Sequence, residues 1–145
     1  MASHATEWSI NSVDRYFLIS KSFKNMSRRI LIVDDEADLV EALSLKLQGG
    51  DYDIDTANNG MEALEQLSKS KADIVLLDLI MPKLDGFGFL DALRKQNVDV
   101  PVIVLSNLGQ AEDIERAQKY DAVKHFFVKA DTPLDDIVKK LSEII

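Results

Sequence analysis

The sequence predicts an α/β fold, a doubly wound sheet of five parallel strands in the order 2-1-3-4-5 with helices on both faces. Two observations predict this fold. From residue 30 onward, strand-like and helix-like patterns alternate five times. Three of the strand-like runs are continuously apolar, as expected of strands covered on both faces. The length of 145 residues suits one compact domain.

Five segments are predicted to be strands. Residues 30–33, 74–77 and 102–105 are apolar and rich in β-branched side chains, which is typical of central strands. Residues 52–57 alternate apolar side chains with Asp, which indicates an edge strand with one face in water. Residues 126–128 are predicted to form the fifth strand.

Apolar residues three or four positions apart predict helices between these strands. The stripes of the first three helices are Val40, Leu43 and Leu47; Leu64 and Leu67; Phe87 and Leu90. The last helix has the longest stripe, with Thr132 expected as the N-cap and Pro133 at the first helical position: Leu134, Ile137, Val138, Leu141, Ile144 and Ile145. Residues 111–119 offer only Ile114 and Ala117, so we expect that helix to be loosely held.

Charge divides the chain near Arg29. Residues 1–29 contain five basic and two acidic residues, whereas residues 30–145 contain 12 and 23. We expect residues 1–27 to be a peripheral extension or tag, and residues 28–145 to be the domain. The alternative for the extension is a partner-docking helix, because four of its residues form a weak helical stripe: Val13, Tyr16, Phe17 and Ser20.

Composition excludes several classes of function. A net charge of −8 disfavours direct binding of nucleic acid. No apolar run approaches the roughly 20 residues needed to cross a bilayer, and no secretory signal is evident, so we expect a cytoplasmic protein without membrane insertion. Cysteine is absent, so a bound metal would be held by oxygen.

Polar side chains follow four of the predicted strands. Asp34 and Asp35 follow the first strand, Asp78 the third, Ser106 the fourth and Lys129 the fifth. Because the carboxyl ends of parallel strands meet at one edge of the sheet, these groups are expected to converge. Three neighbouring carboxylates repel one another and raise their own pKa values unless a divalent cation shares them. Mg²⁺ prefers such oxygen ligands.

From residue 28 to residue 145, the chain resembles the receiver domain of two-component response regulators, similar to the single-domain chemotaxis type. The resemblance rests on residues 33–36 (Val-Asp-Asp-Glu), 77–86 (Leu-Asp-Leu-Ile-Met-Pro-Lys-Leu-Asp-Gly), 105–106 (Leu-Ser) and 126–129 (Phe-Phe-Val-Lys). It implies a flavodoxin-like sheet and a phosphoacceptor switch that takes a phosphoryl group from a histidine kinase or a phosphotransfer protein. It implies no enzyme activity beyond self-directed phosphoryl transfer and slow self-dephosphorylation.

The resemblance also implies the roles of the acidic residues. Asp78 matches the acceptor carboxylate and would become an aspartyl phosphate. Asp35, Asp78 and the backbone carbonyl of Ile80 would ligate Mg²⁺ directly, while Asp34 would act mainly through coordinated water. Lys129 would supply positive charge to the phosphoryl oxygens.

The switch and its output are implied in the same way. Ser106 would donate its hydroxyl to the phosphoryl group, and Phe126 matches the aromatic residue that rotates inward. The face made by the fourth helix, fifth strand and fifth helix would then change its affinity for a downstream protein, with a phosphorylation-dependent dimer as a further outcome. Ile80 and Leu108 are expected to flank the approach of water, and their apolar side chains predict slow hydrolysis.

Several positions depart from the family pattern. Asn107 replaces a small residue, and we expect it either to crowd the phosphoryl approach or to hydrogen-bond to the phosphoryl group. Ala130 replaces a proline, and a cis bond to a non-proline residue costs about 2.5 to 4 kcal/mol, so we expect a trans bond and a displaced Lys129. Phe126 replaces the frequent tyrosine and has no phenol to report the switch.

Two alternatives to a phosphorylated switch remain at this point. Asn107 and Ala130 motivate a pseudo-receiver that keeps the fold and the partner face but signals without phosphorylation. A phosphatase similar to the haloacid dehalogenases also uses a strand-end Asp with Mg²⁺. That enzyme needs a second Asp two residues later, where this chain has Ile80, so the phosphatase is disfavoured.

Overall fold

The computed structural model describes residues 27–145, together with Ser12 and Arg15. Apart from positions 12, 15 and 27, the predicted extension and its helical stripe lie outside the described residues. Within the described part of the chain, five strands form one sheet in the order β2-β1-β3-β4-β5. Every neighbouring pair is parallel. The predicted sheet order is confirmed.

The five strands are β1 (Arg28–Val33), β2 (Tyr52–Ala57), β3 (Ile74–Leu77), β4 (Val102–Ser106) and β5 (Val123–Val128). Strands β2 and β3 have the predicted bounds. The prediction for β5 was wrong at its start, because the strand begins three residues before Phe126. The first part of β5 carries the polar residues Lys124 and His125 and is shifted in register against β4, which hides the strand pattern.

The helices are α1 (Ala37–Leu47), α2 (Gly60–Lys69), α3 (Gly86–Lys95), α4 (Ala111–Gln118) and α5 (Leu134–Ile144). A short 3₁₀ turn, Lys129–Asp131, joins β5 to α5. None of the helices in the described residues is both long enough and apolar enough to span a membrane.

The predicted start of α5 needs correction. Pro133 is the N-cap residue and no side chain caps the helix. The Thr132 hydroxyl instead donates a 2.8 Å hydrogen bond to the Val128 carbonyl. Val128 and Thr132 flank the 3₁₀ turn, so this hydrogen bond closes the turn and does not cap the helix.

The sheet separates two layers of core, and alternate residues of each strand point to opposite layers. Helices α1 and α5 cover one face, where Leu43 and Leu47 meet Ile137 and Leu141. All six residues of the stripe predicted for α5 belong to this layer. Helices α2, α3 and α4 contribute to the other layer, in which Phe89 and Ala117 are fully buried. Burial on both faces explains why the central strands are continuously apolar.

The carboxyl end of α4 contacts α3 through two side chains. The Tyr120 hydroxyl, just beyond the helix, donates a 2.6 Å hydrogen bond to Asp91, and the Arg116 guanidinium lies 3.8 Å from the centre of the Phe87 ring. Ala117 is the one residue of α4 that is buried. These contacts connect one end of α4 to α3, and the expectation that the helix is loosely held stays a prediction.

Candidate functional site

The backbone of the sheet holds the two buried aspartates at its carboxyl edge. Asp34 directly follows β1, and its N–H donates to the Ala57 carbonyl at 3.0 Å. Asp78 directly follows β3, and its N–H donates to the Val33 carbonyl at 2.9 Å. Since β1 and β3 are neighbours, the sheet hydrogen bonding brings the two carboxylates together.

Asp34, Asp35 and Asp78 form an acidic cluster, as predicted. Each offers a carboxylate oxygen, and these oxygens all lie within 4.8 Å of one another. Asp34 and Asp78 are only 3% and 5% exposed, whereas Asp35 is exposed. The carboxylates near Lys129 outnumber it and leave an excess of negative charge, which a divalent cation would reduce. Hard oxygen donors and this charge balance fit Mg²⁺.

Lys129 reaches into the cluster from the end of β5. Its Nζ lies 2.8 Å from Asp34 Oδ2, 3.0 Å from Asp78 Oδ2 and 3.4 Å from Glu36 Oε1, and its side chain is only 8% exposed. Burial by itself would lower the pKa of Lys129, but hydrogen bonds to Asp34 and Asp78 outweigh burial and raise it. Lys129 is therefore held as a charged ammonium group.

Burial is the largest cause of the shifted titration of Asp34. It raises the pKa of Asp34 above its ordinary value, although hydrogen bonds from Lys129 and from the Glu36 N–H lower it. The Asp78 charge raises the pKa further, but as a smaller contribution. The predicted repulsion between carboxylates thus raises the pKa of Asp34, but less than burial does.

The bond between Lys129 and Ala130 is trans, as expected, because no peptide bond in the described residues is cis. The expected displacement of Lys129 was wrong. Its side chain spans the gap to Asp78 from a trans backbone, since the 3₁₀ turn that begins at Lys129 points the long side chain inward.

The predicted switch residues lie in neighbouring strands, Ser106 in β4 and Phe126 in β5. Ser106 is the last residue of β4 and is fully buried, and its Oγ accepts a 3.3 Å hydrogen bond from the Leu108 N–H. Phe126 lies in β5, where it is half-buried and packs against the core layer that contains Ala117 of α4. Ser106 thus directly precedes the loop to α4, and Phe126 packs against the same core layer as Leu108 of that loop.

The two residues predicted to govern hydrolysis differ in their surroundings. Ile80 is 54% exposed, and its N–H donates to Asp78 Oδ1 at 3.2 Å. Leu108 is half-buried against the core layer below α4. The Ile80 side chain is therefore exposed two residues after Asp78, whereas Leu108 is partly fixed by packing.

Sequence reasoning missed the contact that Asn107 makes. Its Oδ1 accepts a 3.1 Å hydrogen bond from the Ala130 N–H, so the amide oxygen is engaged by backbone. The signal was present in the sequence, because Ala130 has an N–H that proline lacks. Two of the three departures from the family pattern, Asn107 and Ala130, therefore contact each other.

Gly86 allows the start of α3 to lie close to the loop that follows Asp78. A Cβ at this position would lie 2.5 Å from the Asp78 carbonyl oxygen and 2.7 Å from Leu79 Cα. Only glycine permits this approach, and its N–H donates to the Leu79 carbonyl. The loop after Asp78 is thereby held against the start of α3.

Fold and site together define a class of flavodoxin-like signalling domains that carry an acidic cluster at the carboxyl edge of the sheet. The chain belongs to the response regulator receiver domain family, whose family model matches residues 30–141. It is thus a receiver domain of two-component response regulators.

Relatives of known sequence agree with this assignment. The chain is 47% identical over 88 residues to a CpxR homolog, a transcriptional regulatory protein of Haemophilus influenzae; the match covers 61% of this chain and 37% of the relative. It is 40% identical over 81 residues to PhoP, the alkaline phosphatase synthesis transcriptional regulatory protein of Bacillus subtilis, covering 56% and 34%. The chain thus matches about a third of the length of these relatives.

Solved structures share the fold. The chemotaxis protein CheY4 of Vibrio cholerae has a TM-score of 0.73 at 28% identity, covering 81% of this chain and 98% of that one. The response regulator TrrA of Thermotoga maritima, solved in complex with Mg²⁺-BeF, has a TM-score of 0.70 at 32% identity, covering 81% and 99%.

Proposed function

We propose that Asp78 is the phosphoacceptor of a two-component phosphorelay. The observation that carries this proposal is the Lys129 ammonium group, which lies 3.0 Å from Asp78 Oδ2 within a cluster of three carboxylates. A buried carboxylate with a charged lysine beside it provides a nucleophile and a cation for phosphoryl oxygens in one place.

In the proposed reaction, a carboxylate oxygen of Asp78 attacks the phosphorus of a phosphohistidine. A bond forms between that oxygen and phosphorus, and the bond between phosphorus and the imidazole nitrogen breaks. The electron pair of the broken bond stays on the imidazole, which then takes up a proton. The donor is a histidine kinase or a histidine phosphotransfer protein, because these carry the phosphorylated imidazole.

The acidic cluster is proposed to hold Mg²⁺. Asp35, Asp78 and the Ile80 carbonyl are its direct ligands, and Asp34 acts through coordinated water. When bound, Mg²⁺ neutralises charge that develops on the phosphoryl oxygens. The balance of three carboxylates against Lys129 supports this assignment, as does the neighbouring structure solved with Mg²⁺-BeF.

Ser106 and Phe126 are proposed to pass the signal on. The Ser106 hydroxyl turns from its own loop to a phosphoryl oxygen, and the Leu108 N–H loses its acceptor as a result. The loop before α4 then rearranges beside Phe126. The α4-β5-α5 face changes its affinity for a downstream protein, or for a second copy of the chain in a phosphorylation-dependent dimer.

Residues 28–145 are proposed to be the receiver domain of a cytoplasmic protein. The matched relatives are transcriptional regulators, so a transcriptional output is consistent with the family. Residues 30–145 carry 23 acidic against 12 basic residues, which disfavours direct contact with nucleic acid. A protein is the proposed immediate target of the switch.

The deciding experiment is incubation with Mg²⁺ and acetyl phosphate, followed by intact mass measurement. The wild type should gain one phosphoryl group and Asp78→Asn none. The control Asp53→Asn, which removes an exposed carboxylate from β2, should react like the wild type. An unmodified wild type would favour the pseudo-receiver, and repeated turnover of phosphate esters would favour a phosphatase.

A further inference from the structure

A side chain joins the two loops that carry the switch serine and the lysine. Asn107 directly follows Ser106, and Ala130 directly follows Lys129. The Asn107 Oδ1 accepts a 3.1 Å hydrogen bond from the Ala130 N–H, across 23 residues of sequence. This contact joins the β4-α4 loop to the β5-α5 loop at the residue that directly follows Lys129.

The contact prolongs the pairing of two strands. The last paired residues of β4 and β5 are Ser106 and Val128, and beyond them the backbone of β4 turns away toward α4. The Asn107 amide oxygen then provides the acceptor for Ala130 that the departing backbone of β4 does not provide. Both residues are exposed, so the Asn107 amide oxygen takes the place of a water molecule as the partner of this N–H.

Two further features lie near this contact, one between the β4-α4 loop and β5 and one within the β5-α5 connection. A Cβ on Gly109 would lie 3.2 Å from the Val128 side chain, so the β4-α4 loop lies directly against the end of β5. On the other side, the Thr132 hydroxyl donates to the Val128 carbonyl at 2.8 Å. The backbone around Lys129 is thus fastened by Thr132 within its own turn and by Asn107 from the β4-α4 loop.

We propose that Asn107 is a positioning residue that holds the backbone of Lys129 through the Ala130 N–H, and so keeps the Lys129 ammonium group on Asp78. A lysine side chain has four rotatable bonds, and fixing its backbone end reduces the freedom that must be lost for Nζ to meet the carboxylates. This inference rests on the proposed function, because its chemical consequence is the rate at which Asp78 is phosphorylated.

The first test is Asn107→Ala. Hydrogen exchange of the Ala130 amide, measured by NMR, should become faster, and phosphorylation by acetyl phosphate at saturating Mg²⁺ should slow about fivefold, the size expected for one hydrogen bond. Asn58→Ala, which removes an exposed amide beyond β2, is the matched control and should change neither quantity. An unchanged Ala130 amide or an unchanged rate would overturn the proposal.

The second test asks whether Asn107 acts through Ala130. Ala130→Pro removes the N–H donor, so adding Asn107→Ala to this variant should slow phosphorylation no further. An equal effect of Asn107→Ala in both backgrounds would show that Asn107 acts elsewhere and would overturn the proposal. If Ala130→Pro does not fold, the Ala130 amide exchange in Asn107→Ala decides the question.

Failure of the proposed function has a different signature. In that case the wild type gains no phosphoryl group, while the exchange of the Ala130 amide still reports whether Asn107 holds the loop. Phosphorylation of the wild type with no effect of Asn107→Ala would instead overturn the positioning role alone.

Discussion

Lys129 Nζ lies 2.8 Å from Asp34 Oδ2, and both side chains are almost entirely buried. A buried pair of this kind is worth little in net stability, because desolvation of both groups offsets their attraction. Lys129 also contacts Asp78, so a single ammonium group serves two buried carboxylates. The excess negative charge in the cluster lowers the stability of the folded protein when no cation is bound. The first prediction follows from this.

Asp34→Asn should raise the free energy of unfolding without Mg²⁺, by on the order of 1 kcal/mol, because burial already disfavours the charged form of Asp34 and raises its pKa. The same variant should bind Mg²⁺ more weakly, so added Mg²⁺ should raise its melting temperature less than that of the wild type. Urea unfolding in EDTA and thermal melts with Mg²⁺ measure both effects. An equal Mg²⁺-induced rise in Asp34→Asn and in the control Asp53→Asn would contradict the site.

His125 should make the stability of the domain depend on pH. Burial lowers its pKa below 6.5; repulsion by Lys140 lowers it further, while Glu143 opposes this shift. The folded state therefore disfavours protonation, so the stability contribution present above pH 6.5 is lost as the pH falls toward the lowered folded value. His125→Gln should flatten this part of the unfolding curve. Parallel curves for the variant and the wild type would refute the assignment.

Tyr120→Phe should loosen the carboxyl end of α4. The variant keeps the ring that packs near Phe87 but removes the hydrogen bond to Asp91, which is worth about 1 kcal/mol. Hydrogen exchange of the backbone amides should become faster in residues 111–120 and stay unchanged in the sheet. Tyr52→Phe in β2, far from α4, is the control. Unchanged exchange in α4 would mean that the hydroxyl does not anchor the helix.

Ser106→Ala should separate phosphorylation from its consequence. In the wild type, beryllofluoride with Mg²⁺ should change hydrogen exchange in residues 106–119 and at Phe126. The variant lacks the hydroxyl that turns to the phosphoryl group, so Asp78 should still react while that change disappears. Ser44→Ala, which removes a hydroxyl bonded within α1, should respond as the wild type does. A full response in Ser106→Ala would rule out the serine as the switch.

The aspartyl phosphate should be long-lived. We expect Ile80 and Leu108 to flank the approach of water, and neither apolar side chain can hydrogen-bond to the attacking molecule. Ile80→Asn combined with Leu108→Glu should shorten the phosphorylated lifetime about tenfold, which corresponds to about 1.4 kcal/mol of barrier. Ile80→Asn alone should give the larger part, because Ile80 is 54% exposed and Leu108 is partly packed. The control Leu45→Asn changes an exposed leucine of α1. Equal decay in wild type and double variant would point to Asn107 or Lys129 as the controlling group.

The local pattern of residues was sufficient to predict the sheet and the positions of the charged groups. Continuous apolar runs require two covered faces, and right-handed crossovers then restrict the strand order, so residues at strand ends must share one edge. Asp34, Asp78 and Lys129 could therefore be placed at one edge from sequence. The start of β5 and the cap of α5 could not, because the register of β5 against β4 and the 3₁₀ turn after it depend on contacts distant in sequence.

The sequence by itself determined which chemical groups meet at the site, since strand order and strand ends follow from hydrophobic pattern. Only the tertiary structure decided how those groups are paired. Lys129 contacts both Asp34 and Asp78, and the Asn107 amide oxygen accepts a hydrogen bond from the Ala130 N–H. The physical reason is that a hydrogen bond needs a donor–acceptor distance within a narrow range of a few tenths of an ångström. Loop paths set those distances through packing of residues far apart in the chain.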